Sequence, residues 1–227
     1  MKIIEPSVHL EDKIDGQAIL KKIERIGRTC YKSEGNITED SAERFIKSII
    51  ARGHESVLEH VSISVRVICD RGVTHEIVRH RVASYSQEST RYCNYSNDKF
   101  GNELTFIMPS WFKSNIEDLN NYANDKNNFN KIYSSGEWAW IDSLRAVEIN
   151  YFTLLECCNW TPEQARSILP NSLKTEIVMT MNLREWRHFF KLRCAKASHP
   201  DMRKVAYMIL DEFKSKIPVV FDDIEER

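Results

Sequence analysis

Residues 61–70, VSISVRVICD, decide the fold. Val61, Ile63, Val65 and Val67 alternate with Ser62, Ser64, Arg66 and Ile68, a period of two that predicts a strand with one buried face. Upstream the period is helical. Ile19, Leu20, Ile23 and Ile26 predict a first helix over residues 15–31 with Asp15 as its N-cap, and Ala42, Phe45, Ile46, Ile49 and Ile50 predict a second that Gly53 ends. Downstream, Gly72 permits a turn, residues 73–80 read as a short helix, and the segment after it, closing in RYCNYSNDKFGNE, reads as loop.

The asparagine-rich residues 115–130 read as an exposed helix fragment or loop with no chemistry attached. Trp138, Ile141, Leu144, Val147, Tyr151, Leu154 and Leu155 predict a long helix over 136–158, and Thr161-Pro162-Glu163 starts a short one that Pro170 stops. Residues 173–181 alternate again and predict a second strand, before helices over 183–194 and 200–216. The expected fold is α+β: a single domain across 1–227 with mixed helices, a small antiparallel sheet and no internal repeat.

Composition narrows the function. The 227 residues are 42% hydrophobic and 29% charged, enough for one well-buried core, and a net charge of −1 supplies no overall field for a nucleic acid polyanion. Any anion site must therefore be local. No apolar run approaches the length of a membrane span, and Cys30, Cys69, Cys93, Cys157, Cys158 and Cys194 are scattered without CxxC pairs, so a cytoplasmic protein with free thiols is expected.

The unusual segment is residues 79–91, RHRVASYSQESTR, with three arginines, one histidine, three serines, a threonine and a glutamine in thirteen positions. Guanidinium forks pair with phosphate oxygens, and hydroxyls and turn amides complete such a shell, so this is an anion-binding inventory. A second basic cluster, Arg184, Arg187 and Arg193, follows Asn182, with Arg184, Arg187 and His188 on neighbouring helical lines. His54, His60, His75 and His80 fall in one span with Glu55, Glu59 and Glu76 and raise a metal reading, which His54 and His60 test. Six residues on an α-helix turn them about 120° apart, where a zincin pair needs a spacing of four, so no metal is expected. Two other readings use the same residues. A single-stranded nucleic acid module would stack bases on Tyr85, Tyr92 and Trp186, and a metal-dependent phosphohydrolase would use the histidine and glutamate cluster.

The order GHESVLEH (53–60), alternating strand, RHRVASYSQESTR (79–91), EQARSILP (163–170) and NLREWRHFFKLR (182–193) resembles the flavin-dependent thymidylate synthases, whose signature of RHR, seven residues and Ser is filled by Arg79, His80, Arg81 and Ser89. Ser86 stands where many members have Asn. The resemblance implies a homotetramer with shared active sites, FAD as cofactor, NADPH and 5,10-methylenetetrahydrofolate as co-substrates, and reductive methylation of dUMP to dTMP. It implies flavin contacts at Ser56, Arg79, His80, Arg81, Gln87, Asn182, Leu183, Arg184 and His188, and dUMP contacts at Glu76, Arg79, Gln87, Glu88, Ser89, Thr90, Arg91, Arg166 and Arg193. Arg193 is the expected catalytic residue, stabilising negative charge on the uracil. Neither the cysteines nor Ser89 is expected to act as a covalent nucleophile. No GxGxxG turn is present to place NADPH.

Overall fold

The computed structural model describes residues 1–125 and 136–224. Along the chain come β1 (Lys2–Ile4), β2 (Ser7–Leu10), α1 (Gly16–Thr29), α2 (Ser41–Ala51), β3 (Ser62–Asp70), α3 (Arg71–Ile77), β4 (Ala83–Gln87), β5 (Thr105–Ile107), α4 (Ile116–Asn124), α5 (Gly136–Glu156), α6 (Pro162–Ala165), β6 (Lys174–Asn182), α7 (Leu183–Arg193), α8 (Pro200–Lys216) and α9 (Pro218–Phe221). Among the described residues no helix is long and apolar enough to cross a membrane.

The helices begin where their caps dictate. The Asp15 side chain accepts from the Ala18 N–H at 3.0 Å to start α1, and Asn182 accepts from the Glu185 N–H at 2.9 Å to start α7. The helix α2 is left through Gly53, whose φ of 72° lies in the left-handed region. One expectation is corrected at α3. It starts at Arg71 rather than Val73, because the Asp70 carboxylate accepts from the Val73 N–H at 2.8 Å, and it ends at Ile77, leaving His80 in the connection to β4.

The strands lie in a two-stranded sheet, β1-β5, and a four-stranded sheet ordered β2-β3-β6-β4. Strand β3 buries Ile63, Val65, Val67 and Cys69, as its alternation requires, and β6 buries Thr175, Ile177, Met179 and Met181. These two run antiparallel: the Leu183 N–H donates to the Val61 carbonyl and the Thr180 hydroxyl to that of Ser64. The smaller sheet departs from the expected antiparallel arrangement, since β1 and β5 pair in parallel, Ile3 opposite Phe106. Strand β4 replaces an expected loop. Within residues 115–130, α4 is more than an exposed fragment, because Leu119 and Ala123 are buried on one face; residues 126–130 lie outside the described residues.

The chain gathers into two compact units. The first comprises Met1–Pro6, Ile68–Ile77 and Gln87–Ile177; the second comprises Ser7–Val67, Val78–Ser86 and Val178–Arg227. The first has a core of Ile3, Leu104, Phe106, Leu119, Ile141 and Tyr151, among others. In the second, Trp186, Phe190, Phe213 and Phe221 pack ring on ring, with centroid separations of 4.9 Å for Trp186–Phe213 and 5.2 Å for Phe213–Phe221. The Trp186 indole N–H, fully buried, is satisfied by the Ile63 carbonyl at 3.1 Å.

Candidate active site

In the second unit the site is built on α7. Leu183, Trp186, Phe189 and Phe190 recur at helical spacing and turn inward, which leaves Arg184, Glu185, His188 and Lys191 on the other face. That face walls a cavity of about 630 Å³, also lined by Glu55 and Glu59 from the 3-10 helix Glu55–His60. Two of its cations are already matched: Arg184 Nη1 meets Glu59 at 2.6 Å and Lys191 Nζ meets Glu55 at 3.5 Å.

Behind this wall lies a buried polar chain. His80 is 4% exposed; Arg193 Nε lies 3.0 Å from its Nε2, and Glu185 Oε1 lies 3.3 Å from its Nδ1. A guanidinium nitrogen only donates, so Nε2 must accept, the ring proton sits on Nδ1, and Glu185 receives it. Burial, then the charges of Arg193 and His188, bring the His80 pKa down to about 4, so the ring is neutral near pH 7. Burial likewise raises the Glu185 carboxyl, with His188 pulling the other way. The Tyr85 hydroxyl donates to the His80 carbonyl at 2.6 Å, and burial pushes its pKa up to about 12. The His80 ring packs on Phe189 at 4.9 Å.

His80, Glu185 and His188 bring three potential metal-binding atoms within 4.8 Å of one another, a grouping that takes His80 from the span considered in sequence and joins it to α7 instead. Arg193 already occupies Nε2 of His80, and a guanidinium there repels a dication. His54 and His60 stand at the two ends of a helix of another kind than the α-helix expected. Residues 55–60 form a 3-10 helix, in which six residues make two full turns and about 12 Å of rise, too far for one ion.

In the first unit, residues 87–91 leave β4 in a polar turn. Gln87 Nε2 donates to Thr74 at 3.0 Å and to Thr175 at 3.3 Å, while the Glu88 carboxylate accepts from Tyr95 at 2.8 Å and Lys174 at 2.7 Å. The Ser89 carbonyl accepts from the Tyr92 and Cys93 N–H groups, its hydroxyl accepts from the Arg91 N–H, and Thr90 is buried. Arg91 pairs with Glu163 at 3.0 Å, both half exposed.

The remaining candidates are placed individually. Ser56, Arg79, Arg81, Arg166 and His188 are exposed, and Glu76 is half-buried on α3. Leu183 is fully buried and its N–H is given to Val61. Arg187, grouped by sequence with Arg184 and Arg193, points inward instead: it is 1% exposed, forked onto Asp223 at 2.6 Å and bonded to Glu55 at 3.0 Å. Two participants escaped the sequence reading, Glu185 and Tyr85 as a partner of His80. Asn182-x-x-Glu185 has the spacing of a capping box, a signal that a carboxylate stands there, although its oxygen turns to His80. Cys69 and Cys194 are buried, and burial raises the Cys69 thiol far above its ordinary range, which argues against either as a nucleophile.

Residues 14–219 match the family model described as "Thymidylate synthase complementing protein". A flavin-dependent thymidylate synthase of Pyrococcus furiosus is 33% identical over 192 residues, 84% of this chain and 70% of that one. One from Geobacter sulfurreducens is 32% identical over 203 residues, 86% of this chain and 78% of that one. In fold the chain is similar to thymidylate synthase X of Helicobacter pylori, solved with FAD and dUMP, with a TM-score of 0.73 at 21% identity, over 98% of this chain and all of that one.

Proposed function

Since the chain belongs to the thymidylate synthase complementing protein family, we propose that it is a flavin-dependent thymidylate synthase that converts dUMP to dTMP in the cytoplasm as a homotetramer with shared active sites. The observation that carries this reading is the family match over residues 14–219, a span that takes in every residue assigned to the site.

The donor set suits the ligands. Asn182, Arg184 and His188 present an amide, a guanidinium and an imidazole to one cavity, as a flavin's diphosphate and ring edge require. Because Glu59 and Glu55 already balance Arg184 and Lys191, the extra positive charge for a diphosphate comes from exposed cations such as Arg79 and Arg81, supplied by a neighbouring chain. Ser56 completes the flavin surroundings, together with Gln87. The turn at 88–91 offers hydroxyls, amides and Arg91 to the nucleotide phosphate, with Glu76 and Arg166 as further contacts.

When bound, reduced flavin supplies the hydride that completes the methyl group carried from 5,10-methylenetetrahydrofolate, and NADPH restores it. The protein positions and polarises. Arg193 places a fixed positive charge beside the uracil, stabilising the negative charge that develops as carbon 5 becomes nucleophilic. No side chain attacks the ring: Cys69 and Cys194 are buried, and Ser89 is held in the phosphate turn.

The test is purification followed by assay. A yellow tetramer that forms dTMP only with dUMP, methylenetetrahydrofolate and NADPH supports the proposal, and a colourless protein inert after FAD addition refutes it. Single-turnover dTMP formation by Cys93→Ala, Cys194→Ala and Ser89→Ala tests the absence of a nucleophile. Complete loss in a variant that still binds FAD and dUMP would identify one.

A further inference from the structure

We infer that His80 is the positioning residue for Arg193, a neutral acceptor that fixes the guanidinium by its Nε from inside the fold. The inference rests on the proposed function and goes beyond it, because the resemblance assigns His80 to the flavin. At 4% exposure, with Nδ1 on Glu185 and Nε2 on Arg193, the ring has both nitrogens committed within the protein.

The chemistry explains why a histidine stands here. Arginine is a long side chain with many rotamers, and a charge that stabilises a transition state must be oriented before that state forms. Holding the guanidinium at Nε fixes the plane of its fork. The holder must accept a hydrogen bond and must not be a carboxylate, whose charge would offset that of Arg193 beside the substrate. A neutral imidazole satisfies both demands, provided that its proton is kept on Nδ1. Glu185 keeps it there from the first turn of the same helix that ends in Arg193. His80 itself cannot drift: Tyr85 holds its carbonyl, and Phe189 packs against its ring. This is the arrangement by which a carboxylate orients a histidine that acts on a third group, with an arginine in place of a metal or a hydroxyl.

The holoenzyme tests it with His80→Phe, His80→Gln and Glu185→Gln, read by flavin content, calorimetric dUMP affinity, kcat and KM. His80→Phe keeps the ring packing but removes the acceptor, and is expected to retain flavin while kcat falls on the order of 10- to 100-fold, as for other outer-shell partners. His80→Gln restores part of the loss, since its carbonyl oxygen can accept from Arg193. Combining His80→Phe with Arg193→Lys costs little beyond Arg193→Lys alone, because the two act as a unit. Flavin-loaded His80→Phe with kcat and dUMP affinity within about twofold of the unmodified enzyme overturns the inference. Should His80→Phe fail to fold, Glu185→Gln decides. It must lower kcat when His80 is present and change nothing when Gln occupies position 80; an equal effect in both backgrounds overturns the inference. An unmodified protein without flavin or dTMP formation refutes the proposed function, and the inference falls with it, whereas an active enzyme indifferent to position 80 refutes the inference alone.

Discussion

Arg187 carries a positive charge almost wholly inside the protein, and Asp223, Glu55 and the Val220 carbonyl all meet its guanidinium. Removing one member of a buried ion pair costs more than the pair contributes, because the remaining charge keeps its desolvation penalty. Arg187→Ala is therefore expected to lower stability by about 3–5 kcal/mol in urea denaturation. Asp223→Asn should cost less, since Glu55 and the Val220 carbonyl still meet the guanidinium and the asparagine carbonyl can accept from it. Acid acts on the same unit in two windows. Below about pH 6.5 an unfolded chain protonates His80 while the folded one does so only near 4, so protons favour unfolding between these values by up to about 3 kcal/mol. Arg187 holds Asp223 below the usual carboxylate range, so its contribution is complete above about pH 4 and is lost as pH falls through the folded value. Denaturation at a series of pH values should show both losses in the unmodified protein and only the lower one in His80→Phe. The family resemblance in the sequence named Arg193, His80 and His188 as candidates, but not their contacts: His80 and Arg193 are 113 positions apart, and no local pattern encodes that meeting.

At the scale of the element, α1 opposes two effects. Alanine for Gly16 should favour the helix by up to about 1 kcal/mol, yet a Cβ there would stand 2.2 Å from the Lys216 carbonyl oxygen, backbone at the end of α8. Backbone cannot swing aside as a side chain does, so Gly16→Ala is expected to lower the melting temperature; an increase would show that the junction yields. Asp15→Ala loses the cap on Ala18 and should cost about 1 kcal/mol, with Asp15→Ser close to the parent. Elements with long periodic patterns were legible: α1, α2, α5, α8, β3 and β6 all lie where periodicity and caps put them. Helices α6 and α7 also follow their expected spans, and α3 is displaced by two or three residues, whereas the remaining strands were not legible, for separate reasons. Strands β1, β2 and β5 have three or four residues, too few to display a period. Strand β4 alternates, but Tyr85 and Gln87 stand where apolar residues are expected, and they bond to the His80 carbonyl and to Thr74 and Thr175. A strand whose more sheltered positions carry polar groups reads as loop.

For the whole molecule, the proposed flavin and tetramer are tied to stability. A ligand that binds only the assembled form adds about 2.7 kcal/mol at a hundred times its dissociation constant, so stripping FAD should lower the melting temperature and FAD added back should restore it in proportion to its concentration. A melting temperature indifferent to FAD would count against a cofactor held between chains. The two compact units have a different consequence. Following the sequence, the chain passes from one unit to the other five times, after Pro6, Val67, Ile77, Ser86 and Ile177. No single cut therefore separates them, and no single recombination between genes could exchange one unit while leaving the other whole. A crossover at any point in the chain therefore leaves at least one unit assembled from two parents, whose packed side chains must still fit one another.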